Sequence, residues 1–223
     1  MKAGNRQYLN PADIRNPVPV FPLSGALLLP GGQMPLNIFE PRYLAMIDDA
    51  LGSQRVIAMV QPRFDAVQDS GAEPELCSVG CLGRITAFQE TGDGRYLITL
   101  NGIARYRILE EVDGKNGYRR CNIDLLGADL EGKDDGAEVD REALLEAFRR
   151  YLDANGMEAD WESVRKASNE TLVTALSMMS PYGPAEKQAL LEAEDIRSRA
   201  ETLVAITEIA LARSGGEHGG TLQ

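Results

Sequence analysis

The chain has 223 residues, 43% of them hydrophobic, with 34 acidic against 23 basic side chains and a formal net charge of −11. That length can bury a core in one large or two small domains, and the acidic balance argues against nonspecific nucleic-acid binding, whose affinity comes mainly from neutralising phosphates. No apolar run approaches the roughly 18 residues of a membrane span, and the first residues lack the apolar stretch of a secretory leader, so the reading is a cytoplasmic protein without a membrane partner.

The first sixteen residues are expected to be an N-terminal extension. From Val18 the chain reads VPVFPLSGALLLPGGQMPLNIFEPRYLAMIDDAL, ending at Leu51. Val18, Val20 and Phe21, then Leu27 to Leu29, are short apolar runs expected as strands, punctuated by Pro22 and by Pro30, Gly31 and Gly32. Met34, Leu36 and Ile38 alternate with Pro35 and Asn37, the pattern of a half-buried strand. Pro41 suits the first position of a helix, and Glu40 sits where the helix dipole favours a carboxylate. Leu44, Ile47 and Leu51 mark one apolar face, and Gly52 ends the helix.

A strand is expected over 55–60 and a long one over 77–90, with Gly80 and Gly83 as bulge or bend positions. Thr91, Gly92, Asp93 and Gly94 form a hairpin turn into a strand from Tyr96 to Leu100. Asn101 and Gly102 are expected to turn the chain again, into a strand from Ala104 to Val112, and Tyr118 to Leu125 completes the set. Many short strands with glycine turns suggest a small, coiled, partly closed antiparallel barrel. Residues 17–126 are assigned to it.

Between Gly127 and Asp140 six of fourteen residues are acidic, which reads as a solvated linker. Residues 141–213 then read as a helical bundle. Leu144, Leu145, Phe148, Tyr151 and Leu152 stripe one helix, stopped by Asn155 and Gly156. Ser168 or Asn169 caps a helix carrying Leu172, Leu176 and Met179. Pro184 opens another, with Leu190 and Leu191 inward. Asp195 caps the last, which carries Ile196, Ala200, Leu203, Ile206 and Ala210 and is expected to end at Gly215 and Gly216. The tail over 214–223 is expected to be disordered.

Catalysis finds little support in the residues. No Gly-x-x-x-x-Gly-Lys-[Ser/Thr] run cradles ATP phosphates. The single histidine, His218, lies in the glycine-rich tail, where no base is held against a nucleophile. Lys166 and Lys187 fall on amphipathic helices among polar neighbours, so a Ser-Lys dyad, which needs a buried lysine, lacks a candidate. The odd number of cysteines, Cys77, Cys81 and Cys121, fits reduced thiols better than a disulfide framework, and three thiols without a nearby histidine fall short of a structural zinc set. The expectation is a protein that is not an enzyme, with no cofactor and no metal. Met157, Met178 and Met179 read as core packing, with a soft peptide-binding patch as the other reading.

Three blocks carry a family resemblance. The run from Pro22 to Leu51 is the first. The second is VGCLGRITAFQETGDGRYLITLNGIARYRI, with Gly80, the Asp93-Gly94 turn, and Gly102 followed by Arg105 and Tyr106. The third is ALSMMSPYGPAEKQALLEAEDIRSRAETL. Together, over about residues 17–212, they resemble the N-terminal, substrate-binding domain of Lon-type ATP-dependent proteases, in a free-standing bacterial member without ATPase or peptidase. The resemblance implies an α+β fold: a PUA-like antiparallel β-barrel followed by a C-terminal α-helical bundle. It implies a non-catalytic module that recognises unfolded or specific polypeptides, as an adaptor or regulator of proteolysis beside a protease partner. Phe39, Glu40, Arg42, Tyr43 and Arg105 are the candidate substrate-binding residues. The alternative is a small-molecule-binding protein using the barrel or an interdomain pocket, and homo-oligomerisation is compatible with either.

Overall fold

The computed structural model describes residues 1–63, 73–131 and 138–217, without the side chains of 214–217. The elements in chain order are β1 (Lys2–Ala3), β2 (Arg6–Gln7), β3 (Val18–Pro22), β4 (Gln33–Ile38), α1 (Pro41–Leu51), β5 (Val56–Val60), β6 (Val79–Glu90), β7 (Tyr96–Lys115), β8 (Tyr118–Leu125), α2 (Ala128–Glu131), α3 (Arg141–Ala154), α4 (Trp161–Lys166), α5 (Asn169–Met179), α6 (Pro184–Glu192) and α7 (Ile196–Glu217). The fold is mixed α+β. Two compact units divide the chain: Met1–Gly132 with Tyr182–Leu191, and Lys133–Pro181 with Glu192–Gln223. The chain therefore returns to the first unit to add α6 after building part of the second.

The first unit is a closed barrel. Strands pair in the ring β7-β6-β5-β3-β8 and back to β7, with β4 added on β7. All pairs are antiparallel except β3 with β5, which run parallel through Val20↔Ala58 to Pro22↔Val60. An all-antiparallel barrel, the sequence expectation, is corrected by that one pair: α1 crosses over between β4 and β5, and a crossover of that length is what parallel pairing requires. The interior is filled by Val18, Val20, Val56, Ala58, Leu82, Ala104, Tyr106, Cys121 and Ile123. Ala3 and Tyr8 join them, so the segment read as an extension contributes to the barrel core.

Closure depends on β7. It pairs with β6 from Tyr96 to Arg107 and with β8 from Tyr106 to Lys115, while β4 takes the other edge from Tyr96 to Asn101. No turn occurs at Asn101 and Gly102. A register shift at Leu82/Gly83 lets Ile103 bulge, which coils the sheet without breaking the strand. Gly102 is needed there because a Cβ would overlap the Leu29 carbonyl. The backbone of 29–32 lies on that site, with Gly31 N–H donating to Gly102 O and Gly102 N–H to Gly32 O. Leu27 to Leu29 are accordingly buried but form no strand.

Pro41 starts α1 as expected, but its buried face is Tyr43, Met46, Ile47 and Ala50 rather than a stripe through Leu44 and Leu51. Gly52 caps it in a right-handed conformation. The acidic stretch is not all linker. Residues 128–131 form α2, whose Leu130 is buried in the barrel core and whose Asp129 pairs with Arg105. On the other flank Gln61 donates to Gln188 Oε1 and to Pro184 O at 3.1 and 2.9 Å, and Gln188 donates to Val79 O at 3.1 Å, so α6 is stapled to the barrel by buried amides.

In the second unit α3 packs on α7, and Arg150 reaches Glu208 through two parallel hydrogen bonds of 2.8 and 2.9 Å. Asp140, Asp160 and Ser168 cap α3, α4 and α5. The short helix α4 escaped the sequence reading because its six residues carry no apolar stripe; its Trp161 ring stacks under the Arg149 guanidinium. Met179 is 81% exposed, which corrects its placement on the buried face of α5, and Met157 is exposed as well. The last helix runs through Gly215 and Gly216 to Glu217. The rest of the expected disordered tail, His218 included, lies outside the described residues, as do 132–137 of the expected linker. Among the described residues no helix is long and apolar enough to cross a membrane.

Candidate functional site

Three of the five sequence candidates, Glu40, Arg42 and Tyr43, stand together where β4 hands over to α1. Glu40 is the residue before the helix, in extended conformation, and its side chain makes no cap hydrogen bond. It accepts from Arg42 Nε at 3.0 Å instead. The Arg42 guanidinium lies 4.5 Å from the Tyr43 ring centre, and the Tyr43 ring packs on Phe21 at a tilt of 51° with centroids 4.4 Å apart. Burial raises the Tyr43 pKa, with Arg42 opposing the shift. A cavity of about 140 Å³ opens beside them, lined by Arg42, Tyr43, Glu73, Pro74, Tyr118 and Arg119. Arg119 is committed to Glu111 and to the Pro74 carbonyl. Arg42 is the half-exposed donor of the group, held in the fork that suits carboxylate or backbone carbonyl groups.

Phe39 belongs to a second surface. It is 62% exposed, with the Arg95 guanidinium 5.9 Å from its ring centre. Beyond the barrel ring, β4, β7 and β6 continue as a three-stranded blade. β5 reaches β6 only as far as Arg84, and β4 pairs only with β7, so among the described residues both outer edges of the blade are unpaired. Alternation places Pro35, Asn37, Ala87, Gln89, Leu97 and Thr99 on one face, where they line a shallow trough of about 440 Å³. Phe88, packed edge-on against Tyr96 at 4.9 Å, stands on the opposite face. Leu97 and Phe88 are 42% and 39% exposed, so the blade holds exposed apolar rungs beside free strand edges. Such an arrangement can accept an extended chain as an added strand, with side chains seated on the rungs.

Arg105 belongs to neither surface. It is 5% exposed, and its Nε and Nη2 reach Asp129 at 2.9 and 2.8 Å while Nη1 reaches Leu191 O at 3.3 Å. The Gly-x-x-Arg-Tyr pattern thus supplies barrel architecture: Gly102 admits the backbone of 29–32, Arg105 holds α2, and Tyr106 donates to Met59 O at 3.0 Å from inside the barrel. Sequence reasoning missed Leu97 and Phe88. The signal for Leu97 is in YLITL, where a half-buried strand would carry polar residues at every outward position and Leu97 does not.

The three cysteines are buried free thiols, and burial pushes Cys121 up to about 11, away from thiolate chemistry. No group of three metal-ligating side chains occurs among the described residues. Burial lowers the pKa of Lys187 on α6, the one departure from its expected setting, yet among the described residues its ammonium has no hydrogen-bond partner, so no serine is held against it.

Residues 17–208 match the family model of the ATP-dependent protease La (LON) substrate-binding domain. Lon protease 2 of Myxococcus xanthus is 29% identical over 201 residues, 86% of this chain and 23% of that protein. The Lon protease of Anaeromyxobacter dehalogenans is 30% identical over 118 residues, 53% of this chain and 14% of that protein. The chain thus spans about a quarter or less of the length of these relatives. A Lon N-terminal domain protein from Xanthomonas campestris superposes with a TM-score of 0.61 at 23% identity, covering 86% of this chain and 98% of that one. The N-terminal domain of a Mycobacterium avium complex Lon protease gives 0.56 at 20% identity, with the same coverage. At those identities the likeness is one of fold.

Proposed function

The chain belongs to the ATP-dependent protease La (LON) substrate-binding domain family, and on that premise we propose that it is a polypeptide-recognition module that binds extended or unfolded chains without catalysing their cleavage. The observation that carries this reading is the blade, where the unpaired β4 edge runs up to the exposed Phe39 and lies one strand from the exposed Leu97. A bound segment would pair its backbone with β4 and set alternate side chains over the face that carries Leu97. Arg42, Glu40 and Tyr43 form a polar neighbour suited to carbonyl or carboxylate groups on the bound chain. We read the barrel as PUA-like and place the protein in the cytoplasm, as an adaptor or regulator beside a protease.

The test is fluorescence anisotropy with a labelled, permanently unfolded polypeptide such as reduced and alkylated α-lactalbumin. Leu97→Asp and Phe39→Ala are expected to weaken binding about tenfold each, with an unchanged melting temperature. Absence of binding, or binding indifferent to both substitutions and to Arg42→Ala, would sink the reading. Deleting the helical unit is a poor probe, because α6 lies within that span of sequence and is part of the barrel unit.

A further inference from the structure

A second cavity in the barrel unit, of about 530 Å³, is polar where the blade is apolar. Its charged lining is Arg6, Arg15, Lys115 and Arg120 with Asp13 and Asp49, a local surplus of two positive charges on a chain of net charge −11. Both carboxylates already have hydrogen-bond donors within the protein. Asp13 accepts from the Leu9 and Asn10 amides at 2.7 and 3.2 Å, which holds its pKa below the ordinary value. Asp49 accepts from Lys115 Nζ at 2.9 Å, Tyr118 Oη at 2.8 Å and Asn116 at 3.3 Å, and is likewise lowered.

Among the described residues none of the three arginines forms an ion pair, although Arg6 is near enough to Asp13 to help lower its pKa. Arg6 donates to the Asp13 carbonyl at 3.3 Å and lies over the Tyr8 ring. Arg120 donates to the Asp113 carbonyl through Nε and Nη2 at 2.9 and 2.7 Å. The exposed Arg15 guanidinium has no partner among the described residues. Its backbone, by contrast, is clamped by Gln54, whose side chain accepts from Arg15 N–H at 3.0 Å and donates to Arg15 O at 2.7 Å. Three guanidinium groups from β2, the approach to β3, and β8 thus line one cleft, none of them in an ion pair among the described residues.

We infer that this cleft binds a small polyanion carrying phosphate or carboxylate groups. Arginine forks match both groups bidentately. The size of the cavity admits a molecule with more than one such group, and the strongly negative charge of the whole chain disfavours a long polyanion running beyond it. The inference is independent of polypeptide recognition at the blade, so Leu97→Asp leaves it intact.

Isothermal titration calorimetry with sodium pyrophosphate and with citrate, each against chloride at matched ionic strength, tests it. Saturable binding of either is expected; pyrophosphate alone assigns the site to phosphates, citrate alone to carboxylates, and both to polyanions of either kind. Arg15→Ala removes no side-chain hydrogen bond or ion pair among the described residues and is expected to weaken binding about tenfold, and Arg15→Glu to abolish it. Arg107→Ala, an exposed arginine outside the cleft, is expected to change nothing. No heat beyond the chloride control from either anion, or equal losses from Arg107→Ala and Arg15→Ala, would overturn the inference.

Discussion

The two ends of β7 are one strand in two environments. From Gly102 to Tyr106 every residue is buried; one edge pairs with β6, and the other is met by the backbone of Gly31 and Gly32 at Gly102, by Leu126 and Asp129 at Arg105, and by β8 from Tyr106. From Tyr96 to Leu100 the same strand runs through the blade, where Leu97 faces solvent and the flanking strands end in free edges. Closure satisfies the backbone and seals the apolar interior, so substitutions there act on stability. The blade is propped by the barrel but not enclosed by it, so it can carry exposed apolar groups and unpaired edges that a core cannot. Scaffold and candidate recognition surface are thus separated along a single strand.

The largest expected effect breaks the closed end. Arg105→Ala would leave Asp129 as an uncompensated buried carboxylate and release α2, at a cost of about 3–5 kcal/mol. Urea unfolding followed by tyrosine-region circular dichroism measures it, and a loss under about 1 kcal/mol would mean that the pair is solvated rather than buried. Gly102→Ala comes next. Its Cβ would displace the backbone of 29–32 from the bulge, and a loss of about 2 kcal/mol is expected in the same assay. An unchanged midpoint would show that this crossing is loose.

The third sharpens the comparison from the open end. Leu97→Asp and Phe39→Ala are expected to change stability by less than about 0.5 kcal/mol while reducing unfolded-polypeptide binding. Destabilisation on the scale of Gly102→Ala would show that the blade is packed in solution. The smallest effect is on pH. The hydrogen bonds from Lys115 and Tyr118 lower the Asp49 pKa below 3.8, so this tie between α1 and the β7–β8 hairpin contributes fully above that ordinary value. The contribution fades as pH falls through the lower folded value. Asp49→Asn is expected to flatten that part of the acid limb of the urea midpoint, and parallel curves for the two proteins would refute the assignment.

Much of the barrel is legible in the sequence because its signals are local. Pro41 opens α1, Gly83 sits at a register shift, the Asp93-Gly94 turn closes its hairpin, and Tyr118 to Leu125 is a strand to the residue. The misreadings share a cause. Gly102 reads as a turn because a glycine in a strand pattern signals a break, whereas here it admits a distant backbone. Residues 128–131 read as linker because they are acidic, whereas Asp129 is acidic in order to meet a buried Arg105 from another part of the chain. Arg105 reads as a binding residue for the same reason: an arginine in a recurring pattern is informative, but its partner lies 24 residues away and is invisible to spacing. Of the candidate site, Phe39, Glu40, Arg42 and Tyr43 were expected from the family resemblance, and Leu97 and Phe88 were not.

What the sequence alone determined is the family, the mixed α+β class and most element boundaries, since capping, turn chemistry and periodicity act over a few residues. Only the tertiary structure decided which glycines are crossings, which charges are buried partners, where the barrel closes and where β7 leaves it. Those outcomes depend on groups far apart in sequence meeting in space, and on whether each polar group they bury is satisfied when they do.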